Sequence, residues 1–279
     1  MPPLVIVTGK GGVGKTLVSC ALARARADAG LRVLLLELDA RESLHRFLDC
    51  APSGGRIVSV TPTLDVQNIR PREVVDSLIE ERVRPAWIAR RVLASAIYEQ
   101  FVQGAPGLRE VAALGYALRA TRGAYDLVVL DAPATGHGVA LLEAPRLLSQ
   151  AIEAGPVAQL AREAAAMVED PSACALWAVV TPEGMAIRET LELDEALTVG
   201  LGRHLDLLLL NGLLPPHRET GSEPAWLAAW YRRAEAQATH EAHLAAAWSG
   251  PLVRLPLSAG EGLEALAELQ SALVPKGAT

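Results

Sequence analysis

Eight residues near the start of the chain, Gly9-Lys10-Gly11-Gly12-Val13-Gly14-Lys15-Thr16, have the composition and spacing of a loop that holds a phosphate chain. Glycines let successive backbone N–H groups turn inward around phosphate oxygens, and the N-terminus of a following helix adds partial positive charge. In that formula Lys15 reaches the terminal phosphates and the Thr16 hydroxyl ligates magnesium. Of the 26 basic residues only three are lysine, namely Lys10, Lys15 and Lys276. Arginine has displaced lysine almost wherever either would serve, so a compact ammonium is retained at 10 and 15 because a planar guanidinium would not fit among phosphate oxygens. Lys276 carries no such inference. The bland alternatives are a structural glycine turn for the loop and a solvated side chain for Lys10.

Such a loop must be held between a strand and a helix, and the flanking sequence supplies both: apolar residues 4–8 before it and the helical pattern LVSCALARARADAG after it. Further short apolar runs at 33–38, 126–131, 175–181, 205–211 and 252–255 alternate with longer helical patterns. The runs VLLLEL, DLVVLD and DLLLL are nearly continuous in apolar residues, as strands covered on both faces must be. The expected fold is α/β: a doubly wound, mostly parallel sheet of the phosphate-loop NTPase type with helical inserts. About ninety residues separate the second and third strands and are mostly helical by pattern. Trp87, Ile88, Val92, Leu93, Ile97 and Phe101 recur at helical spacing, as do Val111, Leu114 and Leu118, with Pro85 and Pro106 marking starts. No linker is forced, so residues 1–279 read as one domain whose inserts at 71–122 and 139–170 form a subdomain.

Bulk properties narrow the function classes. With 279 residues, 51% of them hydrophobic, the chain can bury a sizeable core. A formal charge of −6 with interspersed basic residues argues against a nucleic-acid partner. Three scattered cysteines, Cys20, Cys50 and Cys174, fit a reduced, cytoplasmic setting better than a disulfide framework. MPPLVIVTG has the look of a strand and loop rather than a secretory leader, and no apolar run is long enough to span a bilayer.

The stretch GKGGVGKT resembles the deviant phosphate loop (Walker A) of dimeric ATPases that include the arsenite-pump, nitrogenase-iron-protein, cell-division and tail-anchored-protein-targeting ATPases. The resemblance implies a magnesium-dependent ATPase acting as a homodimer or a paralogue heterodimer, with Lys10 crossing to the partner's nucleotide. Asp39-Ala40-Arg41-Glu42-Ser43-Leu44 resembles a switch segment of the arsenite-pump and targeting branches, which implies that Asp39 positions or deprotonates the attacking water; a carboxylate at a strand end also serves to cap the next helix. Asp131-Ala132-Pro133-Ala134-Thr135-Gly136-His137 is similar to a second switch of the same branches. It implies that Asp131 supports the magnesium shell and that Gly136 senses the γ-phosphate through its backbone N–H, since only glycine lets the backbone come so close. His137 either relays the switch or hydrogen-bonds within the loop. Thr181-Pro182-Glu183-Gly184-Met185 with Glu189 looks like a further family segment. Leu210-Asn211-Gly212 resembles a strand end whose asparagine reads adenine, and Leu255-Pro256-Leu257 a second base-contacting strand end; Asn211 is equally suited to a turn before glycine.

Departures from the resemblance limit what carries over. Residues 212–250 contain no cysteine, so the interface zinc of some targeting members is not expected. His240 and His243 lie on an ordinary helical stretch rather than in a metal motif. No cysteine grouping suits metalloid activation. Residues 261–273 carry Glu261, Glu264 and Glu268 with no basic residue, so they are no membrane helix; Leu263, Leu266 and Leu269 are expected to cover the sheet. Two functions remain: a nucleotide-switched dimer that binds a protein partner or apolar client, or the energising subunit of a membrane anion or metalloid transporter. The stripe from Trp87 to Phe101 serves either as client surface or as core.

Overall fold

The structure is a computed structural model that describes residues 1–38, 41–133, 138–215 and 224–273. In chain order its first half contains β1 (Leu4–Thr8), α1 (Lys15–Asp28), β2 (Val33–Glu37), α2 (Leu44–Leu48), β3 (Val58–Thr61), β4 (Leu64–Asn68), α3 (Pro71–Arg82), α4 (Ala86–Leu93), α5 (Ala96–Gly104), α6 (Leu108–Thr121) and β5 (Leu127–Asp131). Its second half contains α7 (Gly138–Ala151), α8 (Pro156–Glu169), β6 (Cys174–Val180), α9 (Gly184–Leu201), β7 (Leu207–Leu213), α10 (Ala225–Ala247), β8 (Leu252–Pro256) and α11 (Gly262–Leu273).

The described strands form one sheet in the order β3-β4-β2-β5-β1-β6-β7-β8, parallel throughout except for the antiparallel edge pair β3–β4. The two-residue period of each strand feeds two apolar layers. Leu4, Ile6, Leu34, Leu36, Val128 and Leu130 enter the layer covered by α3 and α6 to α9. Their neighbours Val5, Val7, Val33, Leu35, Leu127 and Val129 enter the layer under α1, α2 and α11. From β1 the chain crosses toward β2, and from β5 it crosses the other way toward β6, which places the two crossovers on opposite faces. The reversal at β1 opens a crevice at the carboxyl ends of the central strands, directly where the glycine loop leaves β1.

Three expectations need correction. Residues 58–68 are a hairpin, β3 and β4, inside the stretch read as mostly helical; Val58-Ser59-Val60-Thr61 and Leu64-Asp65-Val66 alternate at the strand period, and Leu64 and Val66 are buried against β2. The stripe from Trp87 to Phe101 is two helices rather than one, because Ser95 caps α5 by accepting from the Tyr98 N–H at 3.2 Å while donating to the Val92 carbonyl at 2.7 Å. Serving both ends, one hydroxyl makes the break inexpensive. In α11, Leu266 and Leu269 are buried, but Leu263 in its first turn stays 48% exposed. The helices of residues 71–121 and 138–169 share one core with the strands through Val75, Leu114, Leu142 and Ala161. Within it, α4 and α5 bury only Ala89 and Tyr98. No described helix is long and apolar enough to cross a membrane.

Candidate functional site

The loop departs from β1 pressed against β6. At Gly9, with φ of 138°, an added Cβ would lie 2.3 Å from the Val179 carbonyl oxygen, so only glycine lets the chain turn there. Gly14 caps α1 with φ of 91°, and a Cβ on it would lie 2.4 Å from Asn211 Nδ2. Between them Gly11 and Gly12 carry the loop over the crevice, and Val13 anchors it by burying its side chain. Gly14 has no side chain with which to cap the first N–H groups of α1, a helix N-terminus suited to an anion.

Lys15 opens α1 and is only 6% exposed; its Nζ donates to the Lys10 carbonyl at 2.9 Å. One residue on, Thr16 Oγ1 donates to Asp131 Oδ2 at 2.7 Å, and one turn further Ser19 Oγ donates to Asp131 Oδ1 at 3.0 Å. Asp131 ends β5, and the parallel register sets it beside Glu37 at the end of β2. Burial pushes the Asp131 carboxyl up to about 6, with the negative charge of Glu37 acting in the same direction and the hydroxyls of Thr16 and Ser19 opposing it. A buried ammonium, a hydroxyl whose hydrogen is committed, and a carboxylate thus meet at one helix terminus. Such a set suits a phosphate with a divalent cation: Thr16 keeps its lone pairs for a cation, and Asp131 supplies the negative charge behind it.

Lys10 is placed differently. Its Nζ reaches Glu189 Oε1 on α9 at 2.7 Å, with the two side chains 42% and 41% exposed. In the single chain this lysine is therefore paired within its own subunit. Asn211 sits in β7 at a register shift between Leu210 and Leu213, and Gly212 follows with φ of 81°. This bulge turns the Asn211 amide onto the loop, where Nδ2 donates to the Val13 carbonyl at 2.8 Å. Beyond it, Leu213, Leu214, Arg254, Leu255, Pro256 and Leu257 with the facing side of α10 line a cavity of about 840 Å³. Gln237 of α10 fixes this rim by accepting from Leu214 N–H at 2.9 Å and donating to the Gly212 carbonyl at 3.2 Å. Asp39, Gly136 and His137 lie outside the described residues. His240 and His243 join no cluster of three or more metal-binding side chains among the described residues.

Ser19, Glu37 and Gln237 were not legible as site residues. Ser19 follows Thr16 at i+3 on the same helix face, and Glu37 is a charge at the end of the apolar run VLLLE; these are the signals that point to them in the sequence. Gln237 has none, being one polar residue on a long helix.

A family model described as anion-transporting ATPase matches residues 3–159. The chain is 29% identical to an arsenical pump-driving ATPase of Acidiphilium multivorum over 92% of this chain and 47% of that protein. It is likewise 29% identical to an arsenical pump-driving ATPase of Escherichia coli, over 97% of this chain and 49% of the relative. To the Mycobacterium tuberculosis protein named ATPase BagA it is 27% identical, over 77% and 66% of the two chains. It spans about half the length of the arsenical pump-driving ATPases it matches.

Proposed function

The chain belongs to the anion-transporting ATPase family, and from that premise we propose that it hydrolyses ATP as a nucleotide-switched dimer that binds a protein partner or apolar client in the cytoplasm. The observation that carries this is the convergence of Lys15, Thr16, Ser19 and Asp131 at the glycine loop. Lys15 exchanges the Lys10 carbonyl for terminal phosphate oxygens, and the loop N–H groups and the terminus of α1 take the rest of the charge. Thr16 and Asp131 would hold Mg2+, which when bound would neutralise charge on the terminal phosphates. Asp39 orients or deprotonates the attacking water, and the Gly136 N–H reports the presence of the γ-phosphate. Asn211 joins the loop to the base, with Pro256 and Leu257 at the base's edge.

Lys10 supplies charge in trans. It must first leave Glu189, so closure of the dimer exchanges an internal ion pair for a partner's phosphate. Mixing subunits tests the arrangement. Lys10→Ala and Asp39→Asn each lack a different part, and a heterodimer of the two restores one complete site. Partial recovery of phosphate release on mixing is expected. Subunits shown to exchange, yet as inactive as either parent, would refute action in trans.

The names of the relatives, arsenical pump-driving ATPases, favour a second reading as the energising subunit of a membrane transporter. Of the three cysteines, Cys20 and Cys174 are buried in opposite apolar layers, and Cys50 packs half-buried against the layer that holds Cys20. Pull-downs from membrane fractions with ATP and Asp39→Asn separate the readings: varied proteins with apolar helices favour the client, one polytopic protein the transporter.

A further inference from the structure

β7 is broken at the point where it carries Asn211. It pairs with β8 in register through Leu210, shifts, and resumes at Leu213 opposite Pro256, where the Leu213 carbonyl accepts from the Leu257 N–H at 2.8 Å. A bulge interrupts the ladder and leaves backbone groups without strand partners. Two such groups, the Gly212 carbonyl and the Leu214 N–H, are taken by one amide from outside the sheet: Gln237 donates to the first at 3.2 Å and accepts from the second at 2.9 Å. Among the described side chains of α10 only Gln237 and Leu244 are buried. An apolar residue would anchor the helix as Leu244 does; a donor and an acceptor on one side chain answer the one of each that the bulge presents. Unclamped, a bulge can move along its strand, and a slip of one residue turns a side chain to the opposite face of the sheet. The side chain at stake is Asn211. Its Nδ2 commits one hydrogen to the Val13 carbonyl at 2.8 Å, and the second N–H and Oδ1 have no partner among the described residues. That pair matches adenine, whose amino group donates and whose ring nitrogen accepts, whereas guanine presents two acceptors at the same edge.

We propose that Gln237 is a positioning residue for base selectivity: by closing the β7 bulge from α10 it fixes the register in which the Asn211 amide meets the base, so that adenine is accepted over guanine. The proposal rests on the reading of Asn211 as the adenine contact. Gln237 need not touch the nucleotide, and the phosphate loop keeps its own hold on either diphosphate, so the loss should fall on the adenine nucleotide alone.

Gln237→Met keeps the length of the side chain and removes both bonds; Gln237→Glu keeps the acceptor for the Leu214 N–H, loses the donor, and serves if Gln237→Met fails to fold. Each is made alone and with Asn211→Ala in the full chain. ADP and GDP are titrated with magnesium, so that hydrolysis does not enter, and Tm is measured beside them. Asn211→Ala should lower the preference for ADP over GDP by roughly fivefold or more, the value of a two-point amide–base contact. Gln237→Met should lower it by roughly threefold or more, with GDP affinity within about twofold of wild type, and Gln237→Glu by less. In the Asn211→Ala background neither change should lower the preference further. A further loss there, equal weakening of ADP and GDP in step with Tm, or wild-type preference in both Gln237 variants while Asn211→Ala has lost it, would overturn the positioning role. Wild-type preference in Asn211→Ala alone would instead overturn the adenine reading on which the proposal rests.

Discussion

If the protein acts as the proposed dimer, the pair between Lys10 and Glu189 bears on how activity depends on protein concentration. Glu189→Gln removes the charge that holds Lys10 at 2.7 Å in its own subunit. Both side chains are about two-fifths exposed, so the pair contributes only about 0.2–1 kcal/mol, a factor of about 1.4 to 5 in an equilibrium constant. Closure of the proposed dimer would break one such pair in each subunit, and the factor is then squared to about 2 to 30. The assay is the rate of phosphate release per subunit against protein concentration, at low salt and at roughly 1 M salt, where charges are screened within about 3 Å. At low salt the half-maximal concentration should fall by that factor in Glu189→Gln, and the gap should narrow at high salt. Lys10→Ala/Glu189→Gln should behave as Lys10→Ala alone, since the pair is already absent. Superimposed curves for wild type and Glu189→Gln would refute the reasoning, as would a half-maximal concentration that rises, because Glu189 would then be stabilising the closed dimer.

Other outcomes follow from burial and geometry. The folded Asp131 carboxyl titrates near 6 against 3.8 in an unfolded chain, so the native state holds the proton more tightly and stability falls as pH rises through that window. Without nucleotide or magnesium, Asp131→Asn should therefore be more stable than wild type by up to about 3 kcal/mol above pH 6, an advantage that disappears toward pH 4 in Tm measurements. Gly14→Ala should weaken ATP binding by about 1–3 kcal/mol through strain and displacement of Asn211, and titration should show a smaller added loss when Asn211 is already alanine. Arg203 is 7% exposed, donates to the Val168 and Cys174 carbonyls and pairs with Asp206 at 2.8 Å; Arg203→Ala should lower unfolding free energy in urea by about 2–4 kcal/mol by orphaning those acceptors.

Local sequence determined the parts of this protein whose physics is local. The loop at 9–16 is legible because strand, glycines, lysine and helix N-terminus are contiguous, and the central strands because burial on both faces demands uninterrupted apolar runs. The hairpin at 58–68 was missed because β3 and β4 are short and half polar, and a run of four apolar-alternating residues competes poorly with the helical patterns that surround it. What only the tertiary structure decided are meetings between residues far apart in the chain. Glu37 becomes the neighbour of Asp131 because β2 and β5 pair in register. Lys10 finds Glu189 across 179 residues, and Asn211 finds Val13 across 198, because a crossover helix and a strand bulge bring them to one crevice. No spacing rule encodes such contacts: they depend on sheet order and register, which are set by the packing of both apolar layers at once.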